Sequence, residues 1–338
     1  MANFYYRSLG SFLLFLIVFS GVYGQAPGCP NVDAGEDQLV ACGGTVDLSA
    51  DFLETGETSE YTVTPIDYAP PFPFTGGSGS TSITADDRWS QIIDLGFDFC
   101  FFDGQYSSVL INSNGAITFD VAGRIPGGRY NANTGAAWGI GGSIPGSGDA
   151  RTFLSIFGVL QDTDPAISGA PYSPSNPNGW TINYELVGDF PCRMLVFNIY
   201  NLKLFSNSHC PDINSTSSQS YQIVLYETTN VIDVYVKSRV ACTGWNNGRG
   251  IIGIQNRDAT VAFTPPGRNT GTWNATEEAW RFTPSGPSNS QVSWLDADGN
   301  FIGSGRDITV TPPYFPYTYT AQAEYFSCNG EIVTVDDT

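Results

Sequence analysis

The sequence predicts an all-β protein built as an antiparallel β-sandwich, and three observations carry that expectation. Only 14% of the 338 residues are charged, against ~25% in an average soluble domain. Glycine (38 residues) and proline (21) stand in their place, with many Ser, Thr and Asn; this is the composition of short strands joined by turns. Apolar residues alternate in short runs, and no segment sustains a helical period. A hydrophobic content of 41% supplies a sizeable core and argues against global disorder.

In chain order, residues 1–24 read as a secretory leader. Arg7 supplies its charge, and Phe12 to Phe19 form an apolar stretch too short to span a bilayer. Thr45-Val46-Asp47-Leu48 alternates as a strand does. Residues 69–82 are Pro-rich and then Gly/Ser-rich and read as a connection. From Trp89 onward strands follow closely: 109–120, 153–160, 180–186, 194–202, 221–228 and 231–236, the last two forming a hairpin across a short polar turn. Residues 123–149 read as a long surface loop. Trp273–Trp280 reads as one helical turn capped by Asn274. Residues 292–305 read as strand, Asp-Gly turn, strand, and 317–326 alternate again.

The last stretch holds about half the residues of an immunoglobulin-like sandwich, and 29–53 looks like its missing part. The expected organisation is therefore a sandwich split into 25–57 and 285–338, with 58–284 inserted between the halves. Insertion at a surface loop is physically easy because loop-closure entropy grows slowly with length.

The formal net charge is -19. Repulsion from phosphates excludes nucleic acid and anionic membrane surfaces as natural partners. A single histidine, His209, leaves little room for His-based zinc or a Ser-His-Asp triad. No later apolar run is long enough for membrane insertion of the mature chain. Export favours disulfides; the seven cysteines form no CxxC pair, and their odd number leaves at least one outside any pairing within the chain.

Several phrases are similar to known text. LGFDFCFFDGQYSSVLINSNGAITFD (95–120), FGVLQDTDP (157–165), SYQIVLYETTNVIDVYV (220–236), GIIGIQN (250–256) and AWRFTP (279–284) resemble the nidogen-like extracellular domain. VDAGEDQ (32–38), DDRWSQIIDLGFDFCFF (86–102), PCRMLVFNIYNL (191–202), CTGWNNGRGIIGIQN (242–256) and PPGRNTGTW (265–273) resemble, more closely, the N-terminal region of large secreted proteins of bacterial gliding motility and type IX secretion. In those proteins a nidogen-like stretch interrupts a PKD/immunoglobulin-like module. The resemblance implies a non-enzymatic, extracellular cell-surface protein, often adhesive, with an extracellular protein or glycan as ligand. It carries no catalytic motif.

Candidate sites follow from the residues. Asp162-Thr163-Asp164 follows an apolar strand and offers two carboxylates to a hard cation, and Asp86-Asp87 precedes Trp89; calcium at Asp162 and Asp164 is weighed against a solvated turn in which Asp caps backbone N–H groups. Asp296, Asp298, Asn300 and Asp307 imitate part of an EF-hand loop, but the glycine sits at the fourth place and a plain hairpin is expected. Ser113-Asn114-Gly115 reads as a hairpin turn. The alternative function is a secreted carbohydrate-binding module or a β-sandwich glycoside hydrolase, with Glu185 and Glu227 as paired carboxylates and Tyr130, Trp138, Trp180 and Trp245 as sugar-stacking rings. For the cysteines, the split sandwich pairs Cys42 with Cys328. Cys100, Cys192, Cys210 and Cys242 then pair among themselves in one of three ways, with Cys210–Cys242 preferred, and Cys29 is left over.

Overall fold

The computed structural model describes residues 26–102, 104–122, 142–146, 153–205 and 218–338. The leader, Cys210 and the aromatic residues Tyr130 and Trp138 lie outside the described residues. The fold is nearly all-β, as the composition predicts.

Two antiparallel sheets face each other. One has seven strands in the order β2 (Tyr61–Pro65), β14 (Ala275–Pro284), β11 (Ile232–Arg239), β10 (Gln219–Tyr226), β9 (Met194–Leu202), β8 (Thr181–Val187) and β3 (Gly79–Ser80). The other has six: β13 (Ala262–Phe263), β12 (Ile251–Gln255), β7 (Ser155–Leu160), β6 (Ala116–Thr118), β5 (Gly104–Ile111) and β4 (Ile93–Phe101). Alternation decides which side chains meet. Leu195, Phe197 and Ile199 of β9, Tyr221, Ile223 and Leu225 of β10, and Ile232, Val234 and Val236 of β11 point inward. They meet Ile93, Leu95, Phe97, Phe99 and Phe101 of β4 in one continuous core.

The outward face of the seven-stranded sheet is also covered. Met194, Val196, Val224, Tyr226, Tyr235 and Ala279 pack under Cys29, Leu53, Ile66, Tyr68 and Phe72. This is why every residue of β10 is buried. The 69–82 stretch is more than a connection, because it closes a polar row on that face. Gln222 Nε2 donates to Phe72 O (2.8 Å) and Asn198 Oδ1 (2.7 Å), Asn198 Nδ2 to Asn183 Oδ1 (2.9 Å), and Asn183 Nδ2 to Phe74 O (3.1 Å). Beside that row, fully buried Asp233 accepts from Arg281 Nε (2.8 Å) and Nη2 (2.7 Å) and from the hydroxyls of Tyr226 (3.0 Å) and Tyr235 (3.1 Å). Arg281 Nη1 reaches on to Pro27 O (2.6 Å), and Thr229 Oγ1 donates to Gly28 O (2.6 Å). The start of the described chain is thus hydrogen-bonded onto the sheet.

The two ends of the chain meet in a smaller sandwich. β1 (Val46–Ser49) pairs with β17 (Asp307–Val310). A four-stranded sheet follows, β16 (Phe301–Ser304), β15 (Ser290–Leu295), β18 (Thr320–Phe326) and β19 (Ile332–Asp337). Ala50, Val292, Trp294 and Ala321 form its core, with Val32, Leu48 and Ile308 packed against them.

Three sequence expectations are corrected. Trp273–Trp280 is not a helical turn: residues from Ala275 belong to β14, and Asn274 Oδ1 accepts from Ala241 N (2.9 Å) instead of capping a helix. Ladder pairing with β11 outweighs the local capping signal: the register keeps one offset from Arg239 opposite Ala275 to Ile232 opposite Phe282, although Glu277 has φ +51°. Cys42 does not pair with Cys328. β1 runs toward the large sandwich, since Thr55 N just beyond it donates to Ser290 Oγ (2.9 Å), so Cys42 precedes its far end and is exposed and free. Cys328 follows β18 at the near end and bonds Cys100 at the end of β4, with Cα atoms 6.1 Å apart. Nor is Cys29 left over: it bonds Cys192 in the β8–β9 connection, Cα atoms 5.3 Å apart. Cys100 and Cys192 therefore pair outside the inserted segment. Cys242 is disulfide-bonded, while its expected partner Cys210 lies outside the described residues.

The buried Asp233–Arg281 pair supplies a stability test. Asp233→Ala leaves a cation with little solvent and no carboxylate, and should cost about 3–5 kcal/mol in urea denaturation. Asp51→Ala, which removes an open surface contact with Arg306, should cost under ~1 kcal/mol.

Candidate metal centre

Two connections at one end of the large sandwich bring four carboxylates into one neighbourhood. Asp86 and Asp87 come from the β3–β4 connection; Asp162 and Asp164 follow β7. Carboxylate oxygens of Asp86, Asp87 and Asp162 lie within 4.8 Å of one another. The expected pair is thus rearranged. Asp162 joins Asp86 and Asp87, while Asp164 Oδ1 accepts from Ala166 N (2.7 Å) as the cap of a short 3-10 turn, Pro165–Ile167. Asp164 still contributes to the local negative field around Asp86 and Asp162.

The turn between β5 and β6 organises the cluster. Asn114 Nδ2 donates to Asp87 Oδ1 (2.8 Å), Asn114 Oδ1 accepts from Thr163 N (2.9 Å), and Asn114 O accepts from Gln161 N (3.2 Å). One side chain therefore spaces the Asp87 loop from the Asp162 segment. Gly115 permits this turn: its φ is +86°, and a Cβ there would lie 2.6 Å from Val159 O and closer still to the Tyr221 hydroxyl. Asp87 itself adopts φ +50°, a left-handed conformation that Asp tolerates. From the 242–256 segment, Trp245 Nε1 (2.7 Å) and Asn246 Nδ2 (3.0 Å) donate to Asp162 Oδ2. The turn carrying them is held from behind by buried Arg239, whose Nη2 donates to Gly248 O (2.7 Å) and whose Nε donates to Gln161 Oε1 (3.0 Å).

Electrostatics make the cluster costly to ionise. Burial first, then the charges of Asp87, Asp164 and Asp162, push the Asp86 carboxyl up to about 7. Burial pushes Asp162 up to about 6, against the lowering effect of its Trp245 hydrogen bond. Asp86 Oδ1 is buried and has no hydrogen-bond partner among the described residues. Clustered carboxylate oxygens of this kind suit a hard cation such as calcium.

The remaining candidates are not drawn together. Glu185 accepts from Ser78 N (2.6 Å), whereas Glu227 is paired with Arg193 two strands away. Trp180 is buried with its Nε1 donating to Gly169 O (2.8 Å), and Trp245 is half-buried, its Nε1 donating to Asp162 and its ring beside Phe205, centroids 5.2 Å apart. Asp296 Oδ1 accepts from the backbone N–H of Asp298 (3.0 Å) and Asn300 (2.8 Å), which makes 296–300 a hairpin turn as expected. Sequence reasoning gave Asn114 to a hairpin turn and Trp245 to sugar stacking, and did not single out Asn246. Their signal lay in the NSNG and GWNNG phrases.

Two outcomes are expected. Because the folded-state pKa values of Asp86 and Asp162 are raised, their contribution to stability is complete below pH ~4 and is lost as the pH rises through 6–7. Melting temperature in chelator should therefore fall between pH 5 and 8, less so in Asp86→Asn and Asp162→Asn. Calcium at a hundredfold excess over its dissociation constant should restore about 2.7 kcal/mol at pH 8. Equal magnesium giving the same shift in both variants would mean diffuse screening only.

No curated protein and no solved structure matches the chain. The family model described as NIDO related matches residues 60–294, a span that begins just before β2, ends within β15 and includes all four carboxylates. The chain belongs to the nidogen-related family.

Proposed function

We propose that the chain is a non-enzymatic binding module of an exported cell-surface protein, acting by adhesion to an extracellular protein or glycan. On this reading it is the N-terminal region of a gliding-motility-associated adhesin, with the nidogen-related sandwich held inside a split immunoglobulin/PKD-like one. The nidogen-related match over residues 60–294 carries the reading. Disulfides at Cys29–Cys192 and Cys100–Cys328 fit an extracellular protein. The β1–β17 pairing, which joins residues near the two chain ends, supports the split module.

A specific observation favours glycan among the ligands. The loop between β17 and β18 exposes Tyr314 (62%) and Phe315 (45%). Tyr314, Tyr317 and Tyr319 pack ring on ring with centroids 5.1 and 4.9 Å apart. Tyr317 Oη accepts from Ala297 N (3.4 Å), which brings the Asp296–Asn300 turn alongside. Open rings beside carboxylate and amide groups match the C–H face and the hydroxyls of a sugar. Among the described residues these rings are exposed, whereas Trp180 is buried.

Beads coated with the mature chain should be retained under flow on a protein- or glycan-coated surface, and soluble chain should compete. On a glycan array, Tyr314→Ala with Phe315→Ala should lose most of any signal. Absence of retention on every surface contradicts the adhesive reading. Release of reducing sugar that Glu185→Gln or Glu227→Gln abolishes would establish a hydrolase instead.

A further inference from the structure

We propose that the two described disulfides form a covalent load path, so that tension applied at the chain ends bypasses most of the nidogen-related sandwich. The inference does not depend on what the module binds.

Cys29 lies three residues beyond Ala26, and Cys328 sits in the turn between the last two strands. Both bonds end on the large sandwich. Cys29 is joined to Cys192 between β8 and β9, and Cys328 to Cys100 at the end of β4. β19 is antiparallel to β18, with Asp337 opposite Ala321 and Ile332 opposite Phe326. A pull at Thr338 reaches Cys328 through β19, which is paired with β18 along its length. Detachment of β19 stops at the turn, because Cys328 hands the load to Cys100.

From Cys100 the shortest covalent route to the other end runs back through β4, β3, β2 and β1. The 228 residues of sequence between Cys100 and Cys328 are left off the route. They contain β5 to β18 and the Asp162 segment. The second bond guards the part that remains on the route. Cys29 cannot move away from Cys100 unless Cys192, seated between two central strands, moves with it. Peeling β1 to β4 then requires tearing the body apart. Hydrogen bonds from Arg281 to Pro27 and from Thr229 to Gly28 reinforce that anchor. Resistance to forced unfolding is set by the unfolding barrier, and tying the loaded segment to the core raises that barrier.

The test is force spectroscopy on the mature chain held by peptide tags at both ends, before and after reduction. Oxidised protein should be shorter at full extension than reduced protein by 228 residues, about 780 Å at ~3.4 Å per residue. With Cys100→Ser and Cys328→Ser the remaining bond should shorten the extension by at least 163 residues instead. Cys29→Ser with Cys192→Ser should keep the 228-residue shortening but let the 26–100 segment peel at clearly lower force. Equal extension in the oxidised and reduced states overturns the load path. An unchanged first rupture force in the Cys29→Ser, Cys192→Ser protein overturns the guarding role of the Cys29–Cys192 bond.

Discussion

A seven-stranded sheet with apolar and hydrogen-bonding groups on both faces must find cover on both, and the rest of the fold answers to that requirement. The six-stranded sheet covers one face in the ordinary manner of a sandwich. The other face carries Asn183, Asn198, Gln222 and the Asp233–Arg281 pair, which need partners as well as exclusion of water. Backbone carbonyls of Phe72, Phe74 and Pro27 supply some of those partners. The segment entering from residue 26 and the stretch before β3 are therefore structural parts of the large body. Once residues 26–29 lie across the sheet and residues 46–53 return beside β17, the smaller sandwich is built against the large one.

The carboxylate cluster stands at the opposite extreme of the same physics. Asp233 is deep and fully paired, whereas Asp86 and Asp162 are crowded by like charge, with the neutral donors Trp245 and Asn246 on Asp162 and the Asp87 backbone on Asp86. A buried carboxylate with a guanidinium is a fixed element of a fold; carboxylates without one respond to protons and cations. That contrast separates the structural acid of this chain from its responsive ones.

How much could be read beforehand follows the range of each interaction. The β10–β11 hairpin was legible because its alternation and turn are local. The run 194–202 was legible as a strand, and it is β9, though that both of its faces are covered was not read from it. Asp162 was legible from its place after an apolar strand. Asn114 was not, since a hairpin turn already accounts for Ser-Asn-Gly, and its role depends on Thr163 and Asp87 arriving from elsewhere. The Cys42–Cys328 expectation failed for a similar reason. Alternation shows that 46–49 is a strand and pairs it with the tail, but it does not say which end of the small sandwich abuts the large one. That direction, set by contacts such as Thr55 with Ser290, puts Cys328 beside Cys100 and leaves Cys42 at the far end. The helical turn expected at 273–280 was overruled by the β11 ladder, again a partner distant in sequence.

The central claim is that both chain ends are folded onto the large sandwich, and peptide mapping of the unreduced, alkylated protein tests it most directly. The account requires one cross-linked fragment joining Cys29 to Cys192 and another joining Cys100 to Cys328, with Cys42 recovered alkylated. A fragment joining Cys42 to Cys328, or Cys29 recovered as a free thiol, would contradict it.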